Sequence, residues 1–139
     1  MAHNTATAQW NGTLKGGSGE MNVAGSTSTF SFQTRMEGAD GMTPESYLAA
    51  ALAGCYSMAL SADLEKAGFP GQQVKATAKA NFGNGSGKWS VDSIDLNVEG
   101  TVPGIDDAKF QEIANGTKSA CPVARALASV TINVNAKLV

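Results

Sequence analysis

Apolar and polar residues alternate over several short stretches of this chain, and one long stretch does not alternate at all. Thr5 to Trp10 reads as a first strand, and the Asn11-Gly12 pair after it is a strong hairpin signal. Glu20 to Ala24 and Thr29 to Arg35 predict second and third strands, the third with Phe30 and Phe32 on one face. Gln73 to Phe82 puts Val74, Ala76, Ala78 and Ala80 on one side, and Trp89 to Glu99 sets Ile94, Leu96 and Val98 against polar neighbours. Between them, Gly83 to Gly87 reads as a hairpin loop. Val130 to Leu138 alternates once more and predicts a closing strand.

The stretch without alternation is a helix. Thr43 suits its N-cap, Pro44 its first position and Glu45 its first turn, where negative charge is favoured. Gly68 and Pro70 stop it, so it runs from about Pro44 to Ala67, roughly 36 Å at the usual rise. Ser46 to Ala62 carries no charge, and apolar residues point to every side, which predicts burial all round or a place in a membrane. The uncharged run falls just under the ~18 residues of a spanning segment and is rich in Ala, Ser and Gly. A buried helix of a soluble protein is the expectation, with no membrane partner. A small domain cannot wrap such a helix alone, so burial against a partner subunit follows. Beyond the Pro103-Gly104 turn, Asp106 caps a helix to about Ser119 with Phe110 and Ile113 inward, and Cys121-Pro122 opens a shorter one through Ala128. Strands and helices both recur along the chain. With no repeat or linker, residues 1–139 read as a single domain.

Composition narrows the function. A hydrophobic fraction of 42% supports a real core. A net charge of -2 and an aromatic fraction of 6% offer neither the basic field nor the stacking surface of a nucleic-acid binder. The Gly83–Gly87 loop resembles a phosphate loop, but Lys88 is followed by Trp89 rather than Ser or Thr, and no helix follows. The polar start, Met1 to Thr5, has no signal-peptide core or twin-arginine run, which makes a cytoplasmic location the expectation. There the Asn-x-Ser/Thr triplets at Asn11, Asn84 and Asn115 are chance matches.

The chain has 2 cysteines, and two thiols can store two electrons as one disulfide. In a reducing compartment such a pair is more often catalytic or metal-binding than structural. Zinc is disfavoured, because His3 is the only histidine and a closed ligand set would need carboxylates. No metal or cofactor is expected. A free thiol, with a pKa near 8.5, is only about 3% thiolate at pH 7, so a catalytic cysteine must be made more acidic. Cys121 stands at a helix N-cap, where exposed N–H groups favour a negative sulfur, and local reasoning selects it as the reactive thiol. Cys55 lies mid-helix and needs a cation brought from elsewhere. Arg35 is the obvious source, and Glu45 can hold it by a two-point contact. Against this stands the plainer reading: a Cys in an Ala-rich helix is commonly a small core residue. Arg35 and Glu45 then become a solvated charge and a helix-start residue.

The ordered set of segments resembles the osmotically inducible protein C (OsmC) and organic hydroperoxide resistance (Ohr) family. It comprises Ala8-Gln9-Trp10-Asn11-Gly12, Thr34-Arg35-Met36-Glu37-Gly38, Thr43-Pro44-Glu45, Gly54-Cys55-Tyr56-Ser57-Met58-Ala59-Leu60, Val102-Pro103-Gly104-Ile105-Asp106 and Cys121-Pro122-Val123. The Met-Ala-Leu that follows Cys55 and the Pro-Val that follows Cys121 are more similar to the OsmC branch than to the Ohr branch. The resemblance implies a β3-α-β2-α-α-β subunit in an intertwined homodimer, its long helix between mixed sheets and its active sites at the subunit interface. It implies a thiol peroxidase that reduces organic hydroperoxides, with weaker action on hydrogen peroxide. Cys55 takes the peroxidatic position, Cys121 the resolving one, Arg35 that of the thiolate-stabilising arginine and Glu45 that of the carboxylate orienting it. It also implies a dithiol reductant, with lipoylated proteins the candidate. Met58 and Phe32 are candidates for lining a channel for an alkyl tail. The competing reading is a non-catalytic dimeric domain that holds a small apolar ligand and merely buries its cysteines. A disulfide reductase is disfavoured by the missing Cys-x-x-Cys motif.

Overall fold

The computed structural model describes residues 1–139 as two compact units, 1–46 and 47–139. Six strands form two three-stranded sheets, with four helices, in an α+β arrangement.

The first unit holds β1 (Ala6–Asn11), β2 (Ser18–Val23) and β3 (Ser26–Phe30), an antiparallel sheet in that order. Its tight two-residue turn is Ala24-Gly25, where both residues have positive φ (51° and 85°), as a hairpin of this kind demands. The hairpin signalled by Asn11-Gly12 also forms, through a longer loop: Asn11 pairs with Ser18, and Gly17 N–H donates to the Thr13 carbonyl at 2.8 Å. The predicted third strand is corrected. It stops at Phe30, and residues 32–36 form a short helix, α1 (Phe32–Met36). Ser31 and Thr34 close a reciprocal capping box, Thr34 N–H to Ser31 Oγ at 3.2 Å and Ser31 N–H to Thr34 Oγ1 at 2.9 Å. That local pair outweighs the β-propensity of the Phe-Ser-Phe alternation, so Phe30 and Phe32 do not share a strand face.

The long helix is α2 (Pro44–Lys66). Thr43 caps it, its hydroxyl accepting from Ser46 N–H at 3.1 Å. Burial on every side is not met within one chain. Leu52, Tyr56, Leu60 and Leu64, four residues apart, are fully buried, whereas Ala51, Gly54, Met58 and Ala62 are exposed. By length and a mean hydropathy of 1.2 this helix could cross a membrane. Its buried stripe instead joins the core of the second unit.

In that unit β4 (Gln73–Gly83) pairs antiparallel with β5 (Ser90–Thr101), which pairs parallel with β6 (Thr131–Leu138). Parallel neighbours need a crossover, supplied here by α3 (Asp107–Ala120) and α4 (Pro122–Ala126). Ile94, Leu96, Val98 and Ile132 from the sheet, Phe110 and Ala114 from α3 and the α2 stripe form one core. Two hydrogen bonds tie α2 to α3: Tyr56 hydroxyl to the Ala114 carbonyl, and Thr117 hydroxyl to Asp63 Oδ2 at 2.7 Å. Gly100 is required where it sits, because a Cβ there would fall 2.6 Å from the ring of Phe110.

Candidate active site

Cys55 is placed by the α2 stripe. It precedes the buried Tyr56, which leaves it half-buried at the margin of the core. Cys121 is placed by the junction of two helices, being the C-cap of α3 and the N-cap of α4. Its N–H donates to the Thr117 carbonyl at 2.9 Å, and its carbonyl accepts from Arg125 N–H at 3.0 Å. Both thiols are free, and the Cys121 thiol donates to Cys55 Sγ at 3.2 Å. Cysteines 66 residues apart in sequence are thus in direct contact.

Their environments differ. Cys121 is fully buried. Burial pushes its thiol above the ordinary value, and the adjacent Cys55 adds to the rise. The amides of Ala124 and Val123 pull the other way, but desolvation wins. This runs against the local expectation that the N-cap lowers the Cys121 pKa. Tyr56 is likewise pushed up, first by burial and then by Cys121 and Asp63.

In the first unit Arg35 stands on α1 and Glu45 in the first turn of α2. Arg35 Nη2 meets Glu45 Oε1 at 2.7 Å and Arg35 Nε meets it at 3.0 Å. The guanidinium is held as a fork, as the sequence expected. Glu45 is 7% exposed, whereas the Arg35 side chain is 38% exposed, so the pair turns its cationic end outward.

Arg35 also borders a cavity of about 480 Å³ walled by Trp10, Leu14, Phe30, Phe32 and Met36. Phe32 lines it from a helix. Met58 is 74% exposed and forms no part of it. Sequence reading did not group Trp10, Leu14, Phe30 and Met36 with Arg35. Strand pairing brings Trp10 opposite Gly19, and Gly19 opposite Phe30, and the two rings lie 5.5 Å apart across that glycine. No three His, Cys, Asp or Glu side chains converge as a metal site requires.

A family model for OsmC-like protein matches residues 37–135. Peroxiredoxin OsmC of Escherichia coli (strain K12) is 34% identical over 139 residues, covering 97% of both chains. The chain belongs to the OsmC-like family. Peroxiredoxin OsmC of Shigella flexneri matches to the same extent. Solved structures share the fold. An OsmC-like protein from Mycoplasma pneumoniae superposes with a TM-score of 0.75 at 19% identity, covering 99% of this chain and 98% of that one. The organic hydroperoxide resistance protein OhrB of Bacillus subtilis gives 0.70 at 20% identity, covering 96% and 98%. The function of this OsmC-like chain is accordingly of the peroxidase type.

Proposed function

We propose that this protein reduces organic hydroperoxides to alcohols, with Cys55 as the attacking thiolate and Cys121 as the resolving thiol. One observation carries the assignment: the Cys121 thiol donates to the Cys55 sulfur at 3.2 Å, and burial keeps Cys121 protonated. That contact puts a sulfenic acid on Cys55 within reach of Cys121, which can close the disulfide without a rearrangement of the chain.

The Cys55 thiolate attacks the distal peroxide oxygen, breaks the O–O bond and becomes a sulfenic acid. The alkoxide leaves with a proton as the alcohol. Arg35, oriented by Glu45, stabilises the thiolate and the charge developing on the leaving oxygen. The apolar cavity beside Arg35 takes the alkyl tail. Cys121 sulfur then displaces hydroxide from the sulfenic acid, giving the Cys55–Cys121 disulfide and water. A dithiol donor reduces it: one donor sulfur bonds to a protein sulfur as the protein S–S bond breaks. The other donor sulfur then displaces that protein sulfur, closing the donor's own disulfide and leaving two protein thiols. Lipoylated proteins are the donor class that the family implies.

The enzyme works as a cytoplasmic homodimer with its sites at the subunit interface. The exposed face of α2 at Ala51, Gly54, Met58 and Ala62, left open by one chain, supports that assembly. The test is turnover of cumene hydroperoxide with a dithiol reductant. Cys55→Ser is expected to abolish it, and full activity in that variant would sink the assignment.

A further inference from the structure

Another hollow, of about 430 Å³, lies in the second unit and differs in character from the cavity beside Arg35. Its volume is within the ~300–1,000 Å³ of small-molecule sites. The end of α3, α4 and the turn into β6 enclose it, and Lys118, Arg125, Ser129 and Thr131 are among its walls. The chain is acidic overall, yet no lining residue is an acid and both charged ones are cations.

Neither cation is neutralised. The ion pairs of the protein are Arg35–Glu45 and Lys109–Glu112. Lys118 Nζ donates to the Ile132 carbonyl at 2.9 Å, which fixes the head group and leaves two of its three N–H donors for another acceptor. Two uncompensated cations with hydroxyls in one concave site suit a carboxylate, which accepts at both oxygens.

The position gives this chemistry a use. Lys118 precedes Cys121 by three residues in α3, and Arg125 follows it in α4, its N–H bonded to the Cys121 carbonyl at 3.0 Å. A ligand held here sits on the two elements that carry Cys121. Resting on the thiol cycle of the proposed function, we infer that this hollow binds a carboxylate of the dithiol reductant and so steers it to the oxidised pair. That carboxylate is either the reductant's own or one beside the dithiol on an acidic carrier domain.

The experiment isolates the reductive step. The Cys55–Cys121 disulfide is formed with diamide, so reduction is read even if peroxide does not react. Rates are then compared for anionic dihydrolipoate, neutral dihydrolipoamide and a lipoylated acidic domain at low ionic strength. In the native protein dihydrolipoate or the acidic domain is expected to outpace dihydrolipoamide about fivefold, since one partly exposed ion pair contributes on that order. Arg125→Gln with Lys118→Gln should erase the advantage and its salt dependence, leave the dihydrolipoamide rate unchanged and preserve the melting temperature. Arg125→Lys should restore most of it. Loss confined to dihydrolipoate places the carboxylate on the reductant itself, and loss confined to the domain places it on the carrier. Equal rates for all three donors in the native protein, or an advantage that survives both substitutions, overturn the inference. Failure of the peroxide half-reaction would overturn the peroxidase reading and leave this one standing.

Discussion

The Cys121 thiol donates to the Cys55 sulfur at 3.2 Å, from a position with no exposure to solvent. Burial of the donor pushes its thiol above the ordinary value. In the proposed cycle, a sulfenic acid formed on Cys55 faces Cys121 without any movement of the chain.

Cys121→Ser should separate the two halves of the cycle. The variant is expected to consume one equivalent of hydroperoxide per subunit, then stop, with Cys55 as sulfenic acid and afterwards sulfinic acid. Peroxide stoichiometry and intact mass would show this. Sustained turnover without Cys121 would contradict a resolving role.

The raised Cys121 and Tyr56 values predict a stability profile in alkali. A group with a higher pKa in the folded state binds its proton more tightly there, so its contribution is lost as pH rises past the unfolded value. For Cys121 that loss begins near pH 8.5, and for Tyr56 near pH 10, from the ordinary values of the two groups. Urea midpoints of the reduced protein should fall in two stages. Cys121→Ala should flatten the first and Tyr56→Phe the second. Tyr56→Phe should also cost about 1–2 kcal/mol at neutral pH through the lost bond to the Ala114 carbonyl.

Arg35 and Glu45 should respond unequally. Arg35→Ala removes the cation and leaves a buried carboxylate without its fork, at a cost of about 1–3 kcal/mol. It should slow the peroxide step by roughly 10²–10³, the usual effect of deleting one charge-stabilising donor. Glu45→Gln keeps an acceptor for the guanidinium and should slow that step less while lowering stability little. Stopped-flow oxidation of the reduced protein measures both. Equal rates in Arg35→Ala and the native protein would remove Arg35 from the chemistry.

Gly19→Ala tests the apolar cavity. A Cβ at this position would fall 2.3 Å from the ring of Phe30, so the ring must move, at about 1–3 kcal/mol of strain. Phe30 walls the cavity, and its displacement should slow cumene hydroperoxide more than hydrogen peroxide. An equal effect on both would mean that the cavity does not hold the alkyl group.

Much of the architecture was legible because it rests on local chemistry. The cap at Thr43, the proline at 44 and the uncharged run after it specify α2. The alternation of Ile94, Leu96 and Val98 specifies the buried face of β5. The short helix at Phe32 was hidden because a Ser-Thr capping box, only three residues wide, competed with an apparent strand. The hairpin signalled by Asn11-Gly12 forms, but register makes its loop longer and sets the tight two-residue turn at Ala24-Gly25, a pair without that signature.

The sequence alone determined the candidate groups: two thiols, an arginine, a carboxylate, and the helix ends that hold them. Only the tertiary structure decided which of them meet and how far each is buried. Local reasoning makes Cys121 acidic, since a helix N-cap favours an anion. Folding removes that sulfur from water and sets it against Cys55, and the desolvation cost exceeds what the backbone amides return. A pKa is set by everything that surrounds a group in space, and most of what surrounds Cys121 is distant in the chain.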